Sequence, residues 1–244
     1  MRPFRRAFAV VALATVAAVP LVRVAAAREL PTEGRSWQTL APIYDAKVDK
    51  EERSMGMESL RRELCRNLHG DVLEVAAGTG RNAAFIAPQV GAVKRVVFLD
   101  NSDQMIAALQ RKLSASPELQ AHAVALVADA QALPIADASF DFVLSSFSLC
   151  SVDLPLTQLH EMARVAKPGA EIRLLEHGRT WFTPLNMYLD RMHDTHKRNW
   201  GCSFNRDVER LIRDADLPVS VVEHKTKHMG TTHLVVLKKK NSAP

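Results

Sequence analysis

The sequence predicts an α/β fold in which helices cover both faces of a mostly parallel β-sheet. From residue 71 onward, short runs of β-branched and apolar residues alternate with helical patterns, which is typical of parallel sheets. A glycine-containing loop follows the first run, as at the ligand-binding turn of Rossmann-like proteins. The 244 residues suffice for one such domain. We place it at residues 31–240, between an N-terminal hydrophobic segment, residues 1–30, and a polar tail, residues 241–244.

Each predicted element follows from a local pattern of apolar, polar and turn-forming residues. Seven apolar runs predict strands at residues 72–75, 95–99, 123–127, 142–147, 171–175, 219–224 and 234–237. Segments with helical spacing predict helices at residues 81–88, 102–113, 154–165, 184–199 and 205–215. Ser102 is a suitable N-cap for the second helix, and Lys167-Pro168-Gly169 provides a stop after the third. Ligands of such sheets bind at the carboxyl ends of the strands, so the residues there are the site candidates.

The distribution of charge disfavours a protein that binds nucleic acid. The chain has 32 basic and 27 acidic residues, which gives a formal net charge of +5. Five arginines and no acidic residue lie within residues 1–28, so the rest of the chain is electrically neutral. A domain that binds DNA or RNA through phosphates usually has a basic excess.

Residues 7–22 carry no charge and follow three arginines, Arg2, Arg5 and Arg6. The segment has three interpretations: a membrane-spanning helix continued to residue 27, a secretory signal cleaved within residues 25–27, or a mitochondrial presequence. The arginines, the lack of acids and the unpaired cysteines favour an organellar leader over secretion. We therefore expect a mitochondrial protein, in which this segment is cleaved or stays in the inner membrane as a single N-terminal helix.

Two kinds of metal site are not expected. Cys65, Cys150 and Cys202 are far apart and form no C-x-x-C pair, which indicates neither a disulfide framework nor a cysteine zinc site. A polar helix face, and not a metal site, is the preferred interpretation of four residues within two helical turns: Asp190, His193, Asp194 and His196.

The loop Gly78-Thr79-Gly80, with Ala83, matches the G-x-G-x-x-G/A pattern of dinucleotide-binding folds. Asp100 follows at about the distance at which that pattern places its ribose-binding acid. This pattern alone does not separate a nicotinamide dinucleotide from other cofactors that contain adenosine. An NAD(P)-dependent oxidoreductase therefore stays an alternative function.

Glu74, at the end of the first predicted strand, favours a different cofactor. A pyrophosphate needs hydrogen-bond donors and positive potential, and a carboxylate opposes both. S-adenosylmethionine has an ammonium, a sulfonium and an adenosine but no phosphate. In this interpretation Asp100 accepts hydrogen bonds from both ribose hydroxyls. Asp129, after the third strand, accepts a hydrogen bond from the adenine amino group. Ser146 lies at the end of the fourth strand, against which a flat cofactor can lie.

These residues, with the segments LPIADASFDFVLSSFSL and RVAKPGAEIRLLEHG, resemble class I S-adenosylmethionine-dependent methyltransferases over roughly residues 40–240. The resemblance implies a Rossmann-like sheet of seven strands with the last strand antiparallel, inserted between the fifth and sixth. It also implies S-adenosylmethionine as the cofactor. The cofactor-binding residues that we assign on this basis are Tyr44, Glu74, Ala76, Gly78, Gly80, Asp100, Asn101, Met105, Asp129, Ala130 and Ser146.

One residue departs from the family pattern, because family members commonly have a glycine where this chain has Ala76. A methyl group there would crowd the cofactor, and a non-catalytic assembly factor of the same fold in mitochondria is therefore a second alternative. The segments EVAAGTGRN, LLEHGR and LDRMHDTHKRNWGCSFNRDVERLI give a narrower resemblance. They are similar to methyltransferase-like proteins of the mitochondrial inner membrane related to the oxidase-assembly-mutant suppressor, and more remotely to membrane-associated thiol methyltransferases.

His177 follows the fifth predicted strand, at the sheet edge where an acceptor would approach. There it can take a proton from the acceptor, which makes it the candidate catalytic residue. Four aromatic residues near the C-terminal helices either wall an apolar acceptor pocket or pin this segment to the sheet: Trp181, Phe182, Trp200 and Phe204. A small apolar molecule, a thiol or a quinone-like lipid is the favoured acceptor, and a protein acceptor stays open.

Overall fold

The structure is a computed structural model that describes residues 34–241. The leader predicted within residues 1–30 lies outside the described residues, as do residues 242–244. The strands are β1 (Gly70–Val75), β2 (Val93–Asp100), β3 (Ala123–Val127), β4 (Phe140–Ser146), β5 (Ala166–His177), β6 (Val219–Lys227) and β7 (Thr232–Lys239). The α-helices are α1 (Gly34–Leu40), α2 (Tyr44–Ser54), α3 (Met57–Leu64), α4 (Ala83–Ile86), α5 (Asp103–Ser114), α6 (Pro117–Gln120), α7 (Pro155–Val165), α8 (Thr183–Trp200) and α9 (Val208–Asp214).

The seven strands form one sheet in the order β3-β2-β1-β4-β5-β7-β6. Strand β7 pairs antiparallel with both β5 and β6, and the other described pairs are parallel. The predicted seven-stranded Rossmann-like sheet, with its last strand antiparallel and inserted between the fifth and sixth, is thus confirmed. The strand order reverses at β1, which lies between β2 and β4, and such a reversal opens a crevice for ligands.

Apolar side chains on both faces of the sheet explain why helices cover both. Along β1, Val72 packs in one core with α3 and α5, whereas Leu73 and Val75 pack in the other with α7 and α9. This alternation is the period of two that a strand imposes. Because each face is buried, the parallel strands are almost continuously apolar, which made them recognisable in the sequence.

The observed elements differ from the predicted ones mainly at helix ends and before β1. Ser102 caps α5 as predicted, with its Oγ accepting a hydrogen bond from Met105 N at 3.2 Å. The predicted helix at residues 81–88 is shorter, because α4 gives way to a 3-10 turn, Ala87–Gln89. The helices α1, α2 and α3 were not among the predicted elements. In the part of the chain described, no helix combines the length and the hydropathy needed to cross a bilayer.

Candidate functional site

A pocket lies at the carboxyl ends of β1 to β4, where the strand order reverses. Its volume, counted together with the open solvent at its mouth, is about 1020 Å3. The predicted cofactor residues that line this cofactor pocket are Tyr44, Ala76, Gly78, Asp100, Asn101, Met105, Asp129, Ala130 and Ser146. Glu74 and Gly80 do not line it.

The two glycines of the loop after β1 are required for different structural reasons. Gly78 has a φ of +56°, and a Cβ there would meet no heavy atom within 4 Å, so its side of the loop is open. Gly80 has a φ of +74°, and a Cβ there would overlap the Leu109 side chain of α5. Gly78 therefore leaves room for a ligand, whereas Gly80 lets the loop pack against a helix. Ala76 is also left-handed, with a φ of +53°, a conformation that disfavours any Cβ.

Asp100 ends β2 and is held in place by backbone donors. Its Oδ2 accepts a hydrogen bond from Gly78 N at 2.8 Å and its Oδ1 accepts one from Ser102 N at 2.9 Å. Burial raises the pKa of Asp100, and the backbone donors oppose this shift. The backbone N–H of Asn101 also interacts with the carboxylate, and the acceptor capacity that is left can serve a hydroxyl group of a ligand.

Asp129 and Ser146 border the same pocket from β3 and β4. The Oδ1 atom of Asp129 accepts hydrogen bonds from Gln131 N at 2.9 Å and Gln131 Nε2 at 3.1 Å, which fix the carboxylate at the pocket wall. Ser146 Oγ accepts from Asn82 Nδ2 at 3.0 Å and from Arg61 Nη1 at 3.3 Å. Both side chains are thus oriented before any ligand binds.

Glu74 is buried next to the pocket and only half satisfied. Its Oε1 accepts a hydrogen bond from Asn82 Nδ2 at 2.8 Å, while its buried Oε2 has no partner. Burial raises the pKa of Glu74 to about 7, against the opposing effects of Asn82 and Arg61. A buried acceptor without a donor is rare in folded proteins. Glu74 is 1% exposed and does not line the pocket, so its direct contact with a ligand stays a prediction.

Sequence reasoning assigned no role to Arg61 and Asn82, two buried residues of the site. Arg61, on α3, donates to Asn82 Oδ1 at 2.8 Å and forms a two-point ion pair with Glu52, at 2.7 and 3.0 Å. Asn82 then links this arginine to Glu74. The spacing of Met57, Leu60 and Leu64 is the signal that could have revealed α3. The contacts of Arg61 to Asn82 and Glu52 have no local signal, because they depend on tertiary packing.

Acidic residues of α2 bind the glycine loop. The Arg81 guanidinium pairs with Asp45, Asp49 and Glu52, each at 2.9 Å. Asp45 also accepts from Thr79 Oγ1 at 2.7 Å and pairs with Lys112 at 2.6 Å. Burial opposes ionisation of Asp45, but the hydrogen bonds from Lys112 and Thr79 lower its pKa overall. We call these ion pairs between α2 and the loop the α2 clasp.

A second cavity adjoins the cofactor pocket, and we call it the acceptor cavity. Its volume, mouth included, is about 960 Å3. Trp37, Tyr44, Phe147 and Ser151 line both spaces. The remaining lining of the acceptor cavity is largely apolar, aromatic or sulfur-containing: Val48, Met55, Met57, Cys150, His177, His196, Trp200 and Cys202, with Glu51 and Glu52.

His177 lines the acceptor cavity and not the cofactor pocket. Its ring centroid lies 4.3 Å from that of Phe147, which forms part of the wall between the two spaces. Of the four aromatic residues singled out in the sequence, Trp200 lines the cavity and Phe204 packs on His196 at 4.1 Å. Trp181 is 77% exposed and Phe182 is 37% exposed, so neither is a wall of this cavity.

Asp190, the first residue of the predicted polar helix face, forms an ion pair with Arg179. Asp190 accepts hydrogen bonds from both terminal nitrogens of Arg179, at 2.7 and 3.0 Å, and from Asn205 Nδ2 at 2.8 Å. These contacts fasten α8 to the segments before and after it. They account for Asp190 alone, because His196 of the same face lines the acceptor cavity, and the polar helix face stays a prediction.

The comparisons with known proteins agree with this architecture. Residues 73–174 match the protein family described as a methyltransferase domain. The mitochondrial methyltransferase OMS1 of Saccharomyces cerevisiae is 30% identical over 84% of this chain and 45% of its own length. The ubiquinone/menaquinone biosynthesis C-methyltransferase UbiE of an Enterobacter species is 30% identical over 68% of this chain and 67% of its own length. The chain thus spans roughly half to two thirds of the length of these curated relatives.

Solved structures share the fold at low sequence identity. The cyclase SpnF has a TM-score of 0.67 and 14% identity, over 87% of this chain and 98% of its own. Identity this low shows the fold alone, and the reaction has to be argued from the residues of the site.

Proposed function

Because this chain belongs to the methyltransferase domain family, we propose that it transfers a methyl group from S-adenosylmethionine to a small apolar acceptor. One observation carries this proposal. A pocket with carboxylates and an open glycine loop adjoins a largely apolar cavity, and the two share aromatic walls. A donor and an acceptor can therefore be held side by side.

The residues of the cofactor pocket fit S-adenosylmethionine in two respects. The Asp100 carboxylate borders the pocket and can accept a hydrogen bond from a ribose hydroxyl, and Gly78 leaves open space. The described arginines of the pocket, Arg61 and Arg81, are already paired with carboxylates, which disfavours a diphosphate. Bound S-adenosylmethionine would supply a methyl group that its sulfonium makes electrophilic.

The acceptor cavity supports the choice of a small apolar acceptor. Trp200, Val48 and Met57 give it an apolar surface that would exclude water from the reacting atoms. The UbiE relative is named for ubiquinone and menaquinone biosynthesis, which is consistent with a quinone-like ring as the acceptor here. For an acceptor that must lose a proton, His177 is the residue of the cavity that we assign as the base.

The role of the protein in this reaction is to bring the two molecules together. Tyr44 and Trp37 belong to both walls and pack edge to face, with centroids 6.0 Å apart. Aromatic walls of this kind restrict the position of both ligands. Holding two reactants in a near-attack arrangement provides about 7–11 kcal/mol of the reduction in barrier.

The experiment uses the purified full-length chain. Calorimetric titration should show that S-adenosylmethionine binds the wild type and that Asp100→Ala weakens it at least about tenfold, a loss of about 1.4 kcal/mol. Asp103→Ala, three residues away at the exposed start of α5, is the matched control and should bind as the wild type does.

Three outcomes would contradict the proposal. Stabilisation by NAD or NADP but not by S-adenosylmethionine would indicate an oxidoreductase. A calorimetric titration that shows no heat of binding at millimolar S-adenosylmethionine would show that this molecule is not the cofactor. Full complementation of a deletion by Asp100→Ala, together with copurification of a stable partner, would indicate a non-catalytic assembly factor.

We also propose that the protein works in mitochondria. OMS1, a relative over most of this chain, is mitochondrial by name, and residues 1–28 contain arginines but no acids. A full-length chain with a C-terminal tag should cofractionate with mitochondria, and replacement of Arg2, Arg5 and Arg6 by Glu should abolish this. Carbonate extraction would then separate an anchored chain, which stays in the membrane pellet, from a released one.

A further inference from the structure

Cys150, His177 and Cys202 come together at one wall of the acceptor cavity. Their possible ligand atoms all lie within 4.8 Å of one another, and Cys202 Sγ is 3.9 Å from His177 Nδ1. Both cysteines are buried and neither forms a disulfide. We propose that these three side chains bind one Zn2+ ion whose fourth coordination position opens on the acceptor cavity.

The fold holds each of these residues in place through backbone contacts. Cys150 lies in the turn after β4, His177 ends β5, and Cys202 follows the end of α8. Gly201, with a φ of +65°, ends α8 in a left-handed turn and directs the chain back toward the sheet. Ser203 N then donates to Cys150 O at 2.7 Å. This hydrogen bond ties the residue after Cys202 to the backbone of Cys150, and so holds the two cysteines close together.

A second clamp keeps the segment after α8 against the turn after β4. The Arg206 guanidinium donates to the carbonyl oxygens of Leu149 and Val152, the latter at 2.7 Å. Arg206 therefore binds the turn on either side of Cys150. The approach of Cys202 to Cys150 is a consequence of these contacts and not of one flexible side chain.

The separation of Cys202 and His177 is close to that of two ligands in a tetrahedral zinc site. With Zn–S bonds of about 2.3 Å and Zn–N bonds of about 2.05 Å, tetrahedral angles place sulfur and nitrogen about 3.6 Å apart and two sulfurs about 3.8 Å apart. The observed 3.9 Å between Cys202 Sγ and His177 Nδ1 differs from the first value by a few tenths of an ångström. Small side-chain rotations close that difference.

The charge of the site also favours a divalent ion. Zn2+ would replace the two thiol protons, which leave to solvent, and the two thiolates would balance its charge. The product is a neutral site, which a buried position tolerates far better than a lone thiolate.

The donor set selects the metal and its coordination state. Two thiolates and an imidazole suit zinc, whereas Mg2+ and Ca2+ prefer oxygen ligands. Three protein ligands leave a fourth position, as in catalytic zinc sites. Because all three ligands line the acceptor cavity, water or a donor atom of a molecule in the cavity would fill that position. Coordination through Nδ1 would leave the proton of the imidazole on Nε2, so a zinc-bound His177 could not also act as the base of the methyl transfer.

The sequence did not indicate this cluster because its members come from three separate segments. Zinc motifs are recognised by pairs of ligands a few residues apart, and no such pair exists here. The spacing of cysteines along the chain does not predict this cluster, and the proposal rests on the spatial arrangement of Cys150 and Cys202 with His177.

Metal content tests the proposal directly on the purified, reduced full-length chain. After loading with Zn2+ and desalting, mass spectrometry of the metal should find about one zinc per chain. Loading with Co2+ instead should produce a thiolate-to-cobalt charge-transfer band. Cys150→Ser and Cys202→Ser should each lower the zinc content at least about tenfold and abolish the band. Cys65→Ser, which removes a buried cysteine outside the cluster, should keep both.

The wild type alone is decisive where a serine variant does not fold. A wild-type zinc content below about a tenth of an ion per chain, without the cobalt band, overturns the proposal. Peptide mapping that finds a Cys150–Cys202 disulfide after anaerobic purification overturns it too, as does full zinc retention in both folded serine variants. These measurements use neither S-adenosylmethionine nor an acceptor, so their result is independent of the proposed methyl transfer.

Discussion

Ala76 combines an unfavourable backbone conformation with a position in the wall of the cofactor pocket. A left-handed conformation costs a residue with a Cβ about 1–2 kcal/mol, whereas glycine loses about 0.5–1 kcal/mol through its freer unfolded chain. We therefore expect Ala76→Gly to raise the free energy of unfolding by about 0.5–1 kcal/mol. It should also tighten S-adenosylmethionine binding, because the methyl group leaves the pocket.

Urea unfolding and calorimetric titration check this prediction. Gly78→Ala is the matched control in the same loop, since it adds a methyl group at a left-handed position. It should lower both the free energy of unfolding and the affinity for S-adenosylmethionine. Weaker cofactor binding by Ala76→Gly would show that the methyl group of Ala76 contacts the ligand favourably.

Glu74 should make stability depend on pH. Its carboxyl has a pKa of about 7 in the folded chain, whereas 4.5 is the ordinary pKa of a glutamate. The folded state therefore holds the proton more tightly, so this contribution is fully present below about pH 4.5 and is lost as the pH rises through 7. The shift corresponds to about 3 kcal/mol.

Glu74→Gln isolates this effect, because Glu176 is also buried and has a similarly raised pKa, of about 7, in both proteins. The wild type should lose this contribution as the pH rises from 4.5 to 8, and the variant should not. The difference in free energy of unfolding between variant and wild type, measured by urea unfolding, should therefore change by up to about 3 kcal/mol in favour of the variant over that range. A constant difference across that range would mean that Glu74 titrates normally.

At the scale of elements, α2 is held mainly by charge. Val48 is its buried residue, and the α2 clasp joins it to the loop after β1 through Arg81. Arg81→Gln should destabilise the folded state by about 1–3 kcal/mol, less than for a fully buried pair because solvent screens Asp45 and Asp49. Hydrogen exchange in residues 44–54 should accelerate before the rest of the chain unfolds.

Arg62→Gln provides the comparison, since Arg62 pairs with Glu58 on the exposed face of α3. It should change stability by less than about 0.5 kcal/mol and leave exchange in α2 unchanged. Equal exchange rates in the Arg81 variant and the wild type would show that packing, and not the clasp, holds α2.

The clasp also explains which elements the sequence revealed. The strands could be predicted because both of their faces are buried, which leaves a continuous apolar run bounded by turns. The helix α2 has few apolar residues, and its acidic residues meet Arg81 and Lys112 only in the folded chain. Such pairing has no periodic signal. Asp100 and Asp129 could be predicted because each follows a strand that the sequence reveals. Arg61 and Asn82 could not, because their contacts form only in the folded chain.

At the scale of the whole molecule, the two adjoining spaces predict a division of labour among the aromatic residues. Tyr44 lines both spaces, whereas Trp200 lines the acceptor cavity. Tyr44→Ala should weaken S-adenosylmethionine binding about tenfold, and Trp200→Ala should change it less than about twofold. Calorimetric titration of both variants measures this. Equal losses would mean that α8 supports the cofactor pocket as well.

The position of β7 has a consequence for how the protein is made. This is the last strand of the described chain, yet it lies between β5 and β6 and is hydrogen-bonded to both. During synthesis β6 emerges from the ribosome with no neighbour to join, and β5 stays a bare edge open to other chains. A chain that lacks β7 would therefore leave one edge of β5, and the whole of β6, without a strand partner.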